Sequence, residues 1–311
     1  MEKVISVKKQ SKALVIAAFA AVYLIWGSTY LAILVAIRDI PPFLMAGIRF
    51  FIAGLLLYIW CRVRGETTPP TASFRNISLA GVLMLFFGTT SLIWVEQYIP
   101  SGIAAIIVAT VPLWFVVLDK RQWSFHFSNK LIVFGLLVGF SGVLLLFIGN
   151  NHNGLQSKMQ IISSIVLLVG SMIWVIGSLF AKYKPVEGST SMKASIQMMA
   201  AGFTSFIVGI SAGELNDFSW SHISTGAFTA VLYLITFGSL VGFLAYVWLL
   251  SVRPPSQVGT YAYVNPVVAV FLGWLIADEI ITGRQLVALA IILTGVIIVN
   301  LSKGRSVKSE K

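Results

Sequence analysis

Few residues of this chain are of a type that does bond chemistry, and those few are dispersed. The three histidines (His126, His152, His222) fall in or beside the breaks between apolar runs, and the single cysteine, Cys61, lies at the end of one. Acid–base or nucleophilic catalysis gathers its groups at one depth around a reacting atom. A metal site wants several Cys or His at short spacing, and a disulfide wants a second cysteine. None of these patterns occurs, nor does the G-x-x-x-x-G-K-[ST] phosphate loop. The residues therefore point away from an enzyme, from a metal or other cofactor, and from direct use of ATP.

What remains is binding chemistry inside apolar surroundings. Polar and aromatic residues recur at helical spacing: Gln257, Tyr261 and Asn265; Thr90, Trp94 and Gln97; Tyr23, Trp26 and Tyr30; Ser171, Trp174 and Ser178; Ser239 and Tyr246. A lipid-facing stripe would be plain aliphatic, so these faces are expected to point inward and line a pathway. Two alternatives stand beside that reading: serines and glycines serving close helix contacts, and Trp and Tyr serving as interfacial belts. Tyr261 and Asn265 lie near mid-run, where a belt does not apply. Arg49 lies about eight residues into an apolar run, where a charge costs roughly 2.5–3.5 kcal/mol on insertion scales. It needs a partner, either helix carbonyls or Glu96, the one acid expected at comparable depth. Glu96 and Glu279 are the carboxylates that proton coupling or gating would use, although Asp278 and Glu279 also read as solvated loop charges.

The elements that hold these residues follow from composition. Of 311 residues, 58% are hydrophobic and 11% charged, with a mean hydropathy of +0.91. A soluble domain is about 45–50% apolar and about 25% charged, so most of this chain is expected to lie in a bilayer. A hydrocarbon core about 30 Å thick takes about 20 apolar residues per helix. Ten runs qualify: 13–37, 42–63, 76–99, 102–118, 130–149, 159–181, 192–212, 224–251, 256–277 and 284–301. The first is too long for a signal-peptide core. The runs are continuous rather than alternating, so they read as helices and not as barrel strands.

The net charge of +11 is not that of a nucleic-acid binder, because the basic residues sit at the tails and between runs. With the N-terminus inside, 18 of the 22 lysines and arginines fall on the cytoplasmic side and three outside. That bias predicts cytoplasmic termini.

The second half echoes the first. Leu24-Ile25-Trp26-Gly27-Ser28 has a counterpart in Met172-Ile173-Trp174-Val175-Ile176-Gly177-Ser178, and Gly88-Thr89 in Gly238-Ser239. Pro100 and Pro112 match Pro254 and Pro266, and Gly142 matches Gly295. Five helices per repeat is an odd number, so the second copy enters the bilayer from the opposite side. Such inverted repeats place substrate near the midplane. The expected organisation is a basic tail (1–12), a five-helix repeat (13–149), an extracytoplasmic linker (150–158), a second repeat (159–301) and a basic tail (302–311). Pro112 and Pro266 are expected to break their helices, freeing the carbonyls of Val108 and Ala262. Gly135-x-x-x-Gly139 and Gly238-x-x-x-Gly242 are small-residue packing motifs, and neither decides whether the protein forms a homodimer.

Together, Ile25-Trp26-Gly27-Ser28-Thr29-Tyr30, Pro41-Pro42…Ala46-Gly47-Ile48-Arg49-Phe50, Ile99-Pro100-Ser101-Gly102…Val111-Pro112-Leu113-Trp114 and Asn265-Pro266…Asp278-Glu279…Gly295-Val296 resemble the EamA-type branch of the drug/metabolite transporter superfamily over residues 13 to 302. The resemblance implies a ten-helix carrier of the cell membrane, exporting an amino acid or related metabolite. It also implies a role for the acid after the ninth helix, Glu279. The equivalent position after the fourth is Phe125, so the role is carried to Glu279 alone. Small multidrug exporters of the superfamily place a cation-binding glutamate in the first helix, and 13–37 contains no acid. A neutral, aromatic cavity suits a small zwitterionic or amphipathic solute, with drug or cation efflux as the alternative. A receptor or structural role would not require paired mid-span prolines.

Overall fold

The computed structural model describes residues 11–147, 157–216 and 218–309. The expected linker 150–158 and most of the tail 1–12 lie outside the described residues. The long helical stretches among them are α1 (Lys12–Ala36), α2 (Pro42–Val63), α3 (Thr71–Val95), α4 (Ser101–Leu118), α5 (Lys130–Phe147), α6 (Lys158–Tyr183), α7 (Thr190–Ser211), α8 (Thr225–Val252), α9 (Pro255–Ile276) and α10 (Gly283–Ser309). No strand occurs among the described residues.

Local chemistry sets the helix starts. Proline occupies the N-cap of α2, α3, α4 and α9 (Pro41, Pro70, Pro100, Pro254), where its fixed φ is suited and its missing N–H costs nothing. Serine caps α6, α7 and α8 with its hydroxyl: Ser157 in a reciprocal capping box with Gln160, Ser189 and Ser224. Pro70 explains why α3 begins at Thr71, five residues before the apolar run. At the other end α10 continues to Ser309, past the expected boundary at 301, because no proline stops it.

Among the described residues, eight helices are long and apolar enough to cross a membrane. A ninth is obtained if Lys120–Ser128 and Lys130–Leu146, bent by 102° at Asn129, count as one broken span; Gly283–Val299 is a shorter apolar helix. Leu14, Leu137, Phe203, Phe228 and Phe271 stand more than half exposed on the outside, as lipid-facing residues do.

The two halves pack through equivalent helices running antiparallel. Gly47 of α2 meets Phe206 of α7, and Gly54 meets Met199, so one index climbs as the other falls. In the α4/α9 pair, Gly102 lies against Val270 and Phe115 against Gly259. In α5/α10, Gly135 lies on Gly295, and Gly142 on Ala288 and Ile292. The Gly135-x-x-x-Gly139 motif is thus a close helix contact, as expected.

Two features depart from the sequence reading. Residues Val82–Thr90 of α3 and Leu234–Phe243 of α8 are π-helical, and these are equivalent segments of the two halves. A π-segment offsets the backbone ladder and is commonly found at functional sites. Of the two proline breaks, that of α4 falls where expected and that of α9 does not. In α4 the chain kinks at Ala109–Thr110, just before Pro112. In α9 the break falls at Gly259–Thr260, and the helix Tyr261–Ile276 runs through Pro266. There Thr260, Ala262 and Tyr263 make tight i→i−3 bonds, so the irregularity is taken up beside Gly259 rather than at the proline.

Candidate functional site

One cavity of about 650 Å³, counted to its open mouth, sits where α1, α2, α3, α4, α6, α8 and α9 converge. Both halves supply its walls. Trp26, Thr29, Tyr30 and Ile33 come from one face of α1, and Arg49 and Phe50 from α2. The π-segments contribute Leu85, Gly88 and Thr89 on one side and Gly238 and Phe243 on the other. Val108 and Val111 flank the α4 kink; Ser171, Trp174, Tyr261 and Asn265 complete the lining.

Six aromatic rings contribute to the cavity wall: Trp26, Tyr30, Phe50, Trp174, Phe243 and Tyr261. Trp26 packs edge-on against Trp174 and Tyr261, with centroids 5.6 and 5.0 Å apart, and lies 5.1 Å from Tyr246. Spacings of this kind are favourable beyond burial alone. Tyr246 backs the cluster, donating to Ser178 Oγ (2.7 Å), while Ser178 donates to the Trp174 carbonyl (2.8 Å). The Trp26 indole N–H donates to the Gly238 carbonyl (3.1 Å), a backbone oxygen within the π-segment. Asn265 is buried, and with its amide turned so that both groups are satisfied its nitrogen donates to the carbonyls of Tyr23 and Tyr261 (3.0 Å each), tying α1 to α9. Trp174 Nε1 has no hydrogen-bond partner.

Arg49 is 3% exposed. Its Nε donates to Ser239 Oγ (3.0 Å), its guanidinium lies 4.9 Å from the Phe50 ring, and its Nη1 has no partner. Both oxygens of Glu96 are likewise buried without partners. The expected Arg49–Glu96 pair is not hydrogen-bonded, although the two charges lie close enough to act on each other: the guanidinium turns toward α8, and Glu96 is not among the residues lining the cavity.

Glu279 lies apart, at the end of α4. Its carboxylate accepts the backbone N–H groups of Ser101 (2.8 Å) and Gly102 (3.1 Å), capping that helix. Glu214, just beyond α7, does the same for α2, accepting from Leu44 (2.8 Å) and Phe43 (3.2 Å). Burial raises the Glu214 carboxyl, opposed by those two N–H groups. Asp39, in the turn after α1, accepts from the Ser224 N–H (2.9 Å) and hydroxyl (2.5 Å), which hold its carboxyl below the usual range. Three carboxylates thus neutralise helix N-termini of the opposite half.

Of the residues singled out by spacing, the structure brings Trp26, Tyr30, Arg49, Trp174, Tyr261 and Asn265 to one cavity, with Ser178 and Tyr246 directly behind. Others lie elsewhere. Gln257 and Gln97 are exposed, Gln97 donating to the Trp94 carbonyl. Trp94 pairs with Tyr98 outside the cavity, and Thr90 is buried against Ser205 of α7. A helical stripe identifies a face but not the depth at which it meets the cavity. Ile33, Leu85 and Val111 were invisible to the sequence reading, since apolar lining looks like lipid-facing surface.

Comparison with known proteins agrees with this geometry. The EamA-like transporter family matches the chain twice, over residues 13–148 and 161–301. The uncharacterized inner membrane transporter YedA of Escherichia coli is 37% identical over 287 residues, covering 92% of this chain and 90% of that protein. The uncharacterized transporter YoaV of Bacillus subtilis is 25% identical over 282 residues, covering 89% and 93%. A solved crystal structure shares the fold at a TM-score of 0.66 and 18% identity, covering 95% of this chain and 99% of that one.

Proposed function

Because this chain belongs to the EamA-like transporter family, and is thus a multi-pass protein of the cell membrane and not an enzyme, we propose that it is a secondary carrier of a small amphipathic or zwitterionic metabolite, such as an amino acid. In this reading the ten helices are two inverted five-helix repeats with both termini in the cytoplasm. Alternating access rocks one bundle against the other around the cavity. Export is the direction we infer from the family. The observation that carries the reading is a single aromatic cavity built from both halves, in which Trp26, Tyr30, Arg49, Trp174, Tyr261 and Asn265 converge.

The same rings favour a second reading, efflux of a lipophilic cation, since indole and phenol faces attract positive charge. Counterflow in proteoliposomes with a panel of labelled amino acids and tetraphenylphosphonium, with and without a pH gradient, tests both. Saturable amino-acid flux supports the metabolite carrier, and dependence on the gradient adds proton coupling. Flux of the cation alone moves the assignment to drug efflux. No flux of any compound by folded protein refutes the carrier reading.

A further inference from the structure

A buried guanidinium with a vacant donor is an unusual thing to keep in an apolar wall. Desolvating a charge is costly unless its hydrogen-bonding capacity is met. Arg49 meets it only in part. Nε is held by Ser239 Oγ at 3.0 Å, and Nη1 is buried without a partner in the wall of the cavity. The π-segment of α8 makes this geometry available: a Cβ built on Gly238 would stand 2.8 Å from Nη2, so only a glycine there lets the guanidinium lie as it does. The one acid expected to neutralise it, Glu96, makes no hydrogen bond to it.

We propose that Arg49 is the anchor for a carboxylate on the transported solute, with Ser239 and Gly238 as its positioning residues. A substrate carboxylate placed at Nη1 supplies the missing acceptor as a charge-assisted bond, while the apolar remainder of the solute lies against Trp26, Trp174 and Tyr261. One arginine with one side already committed suits a carboxylate better than a phosphate, which draws on several cationic donors. A lipophilic cation would meet like charge at this wall. The proposal rests on the carrier reading and narrows it to carboxylate-bearing solutes.

The test uses the full-length protein in proteoliposomes and four probes of similar shape: L-leucine, L-leucinamide, 3-methylbutylamine and 4-methylpentanoate. Leucine and 4-methylpentanoate are expected to compete for transport, and the amide and amine to be weaker by about 10- to 100-fold, the usual weight of a hydrogen bond to a charged group. Gly238→Ala retains the charge but displaces the guanidinium. It is expected to lower leucine flux more than amine flux and so erase the leucine-to-amine preference, and Arg49→Gln is expected to do the same. A purely structural role would lower both fluxes together. Equal transport of leucine and leucinamide, or an unchanged preference in a folded Gly238→Ala protein, overturns the anchor while the carrier reading stands. If none of these probes moves and only tetraphenylphosphonium does, the anchor falls alone; if nothing moves, both fall.

Discussion

Replacing Glu279 separates a structural charge from a coupling one. The acid reaches α4 because α9 ends in a tight wrap: the N–H groups of Ala277 and Glu279 both bond to the Gly273 carbonyl (3.0 and 3.1 Å), around Asp278 at φ 53°. Aspartate is among the few side chains that tolerate that left-handed conformation. Gly273 also leaves room, since a Cβ there would stand 2.7 Å from Glu279 Oε2. The carboxylate then accepts two N–H groups, at 2.8 and 3.1 Å, from the first residues of α4. Glu279→Gln keeps the shape but turns one acceptor into an NH₂ facing an N–H, and removes the charge at the positive end of the helix. The loss of one capping bond plus the dipole term comes to about 1–2 kcal/mol, or about 2–6 °C in the unfolding midpoint. Thermal unfolding of purified protein in detergent, beside counterflow with and without a pH gradient, reads both properties. The expected result is a lowered midpoint with the response to the gradient unchanged. An unchanged midpoint together with a lost gradient response would refute the capping argument and make Glu279 the coupling group.

Other outcomes follow from particular contacts. Gly295→Ala puts a methyl against the Gly139 nitrogen and 2.5 Å from the Gly135 carbonyl oxygen, so it should cost about 1–3 kcal/mol by overpacking α5 on α10. Gly283→Ala meets nothing within 4 Å and should be neutral or slightly stabilising in the same unfolding assay. Asn265→Ala removes the amide that ties α1 to α9 and should lower counterflow at least about tenfold, with membrane insertion intact by protease protection. The Asp39 carboxyl is held below its ordinary value of 3.8 by Ser224, so its contribution is present above that value and is lost as pH falls through the lowered one. Asp39→Asn should therefore weaken the α1–α8 end at neutral pH and flatten the acid limb of the stability profile, measured by unfolding between pH 3 and 7.

Membrane residence and helix positions were legible in the residues, because a bilayer demands about 20 apolar residues with internally satisfied backbone. Runs such as 42–63 and α2 (Pro42–Val63) coincide, since Pro42 and the basic Arg62 mark both ends. The repeat was legible too, because Gly142, Gly295 and the paired prolines keep their order. Part of the cavity could be read because Trp26, Trp174, Tyr261 and Asn265 interrupt aliphatic faces where lipid would reject them. Its apolar lining could not, since Ile33 or Val111 facing a cavity is chemically the same as a residue facing lipid. The carboxylate caps join residues more than a hundred positions apart, which no local periodicity encodes, and the π-segments and the break at Gly259 carried no signal in the spacing of apolar residues. The partner of Arg49 was decided there as well: sequence could place a charge within a helix and count the acids available to it, but only the packing of α2 against the α8 π-segment turned it to Ser239 and left Nη1 buried without an acceptor.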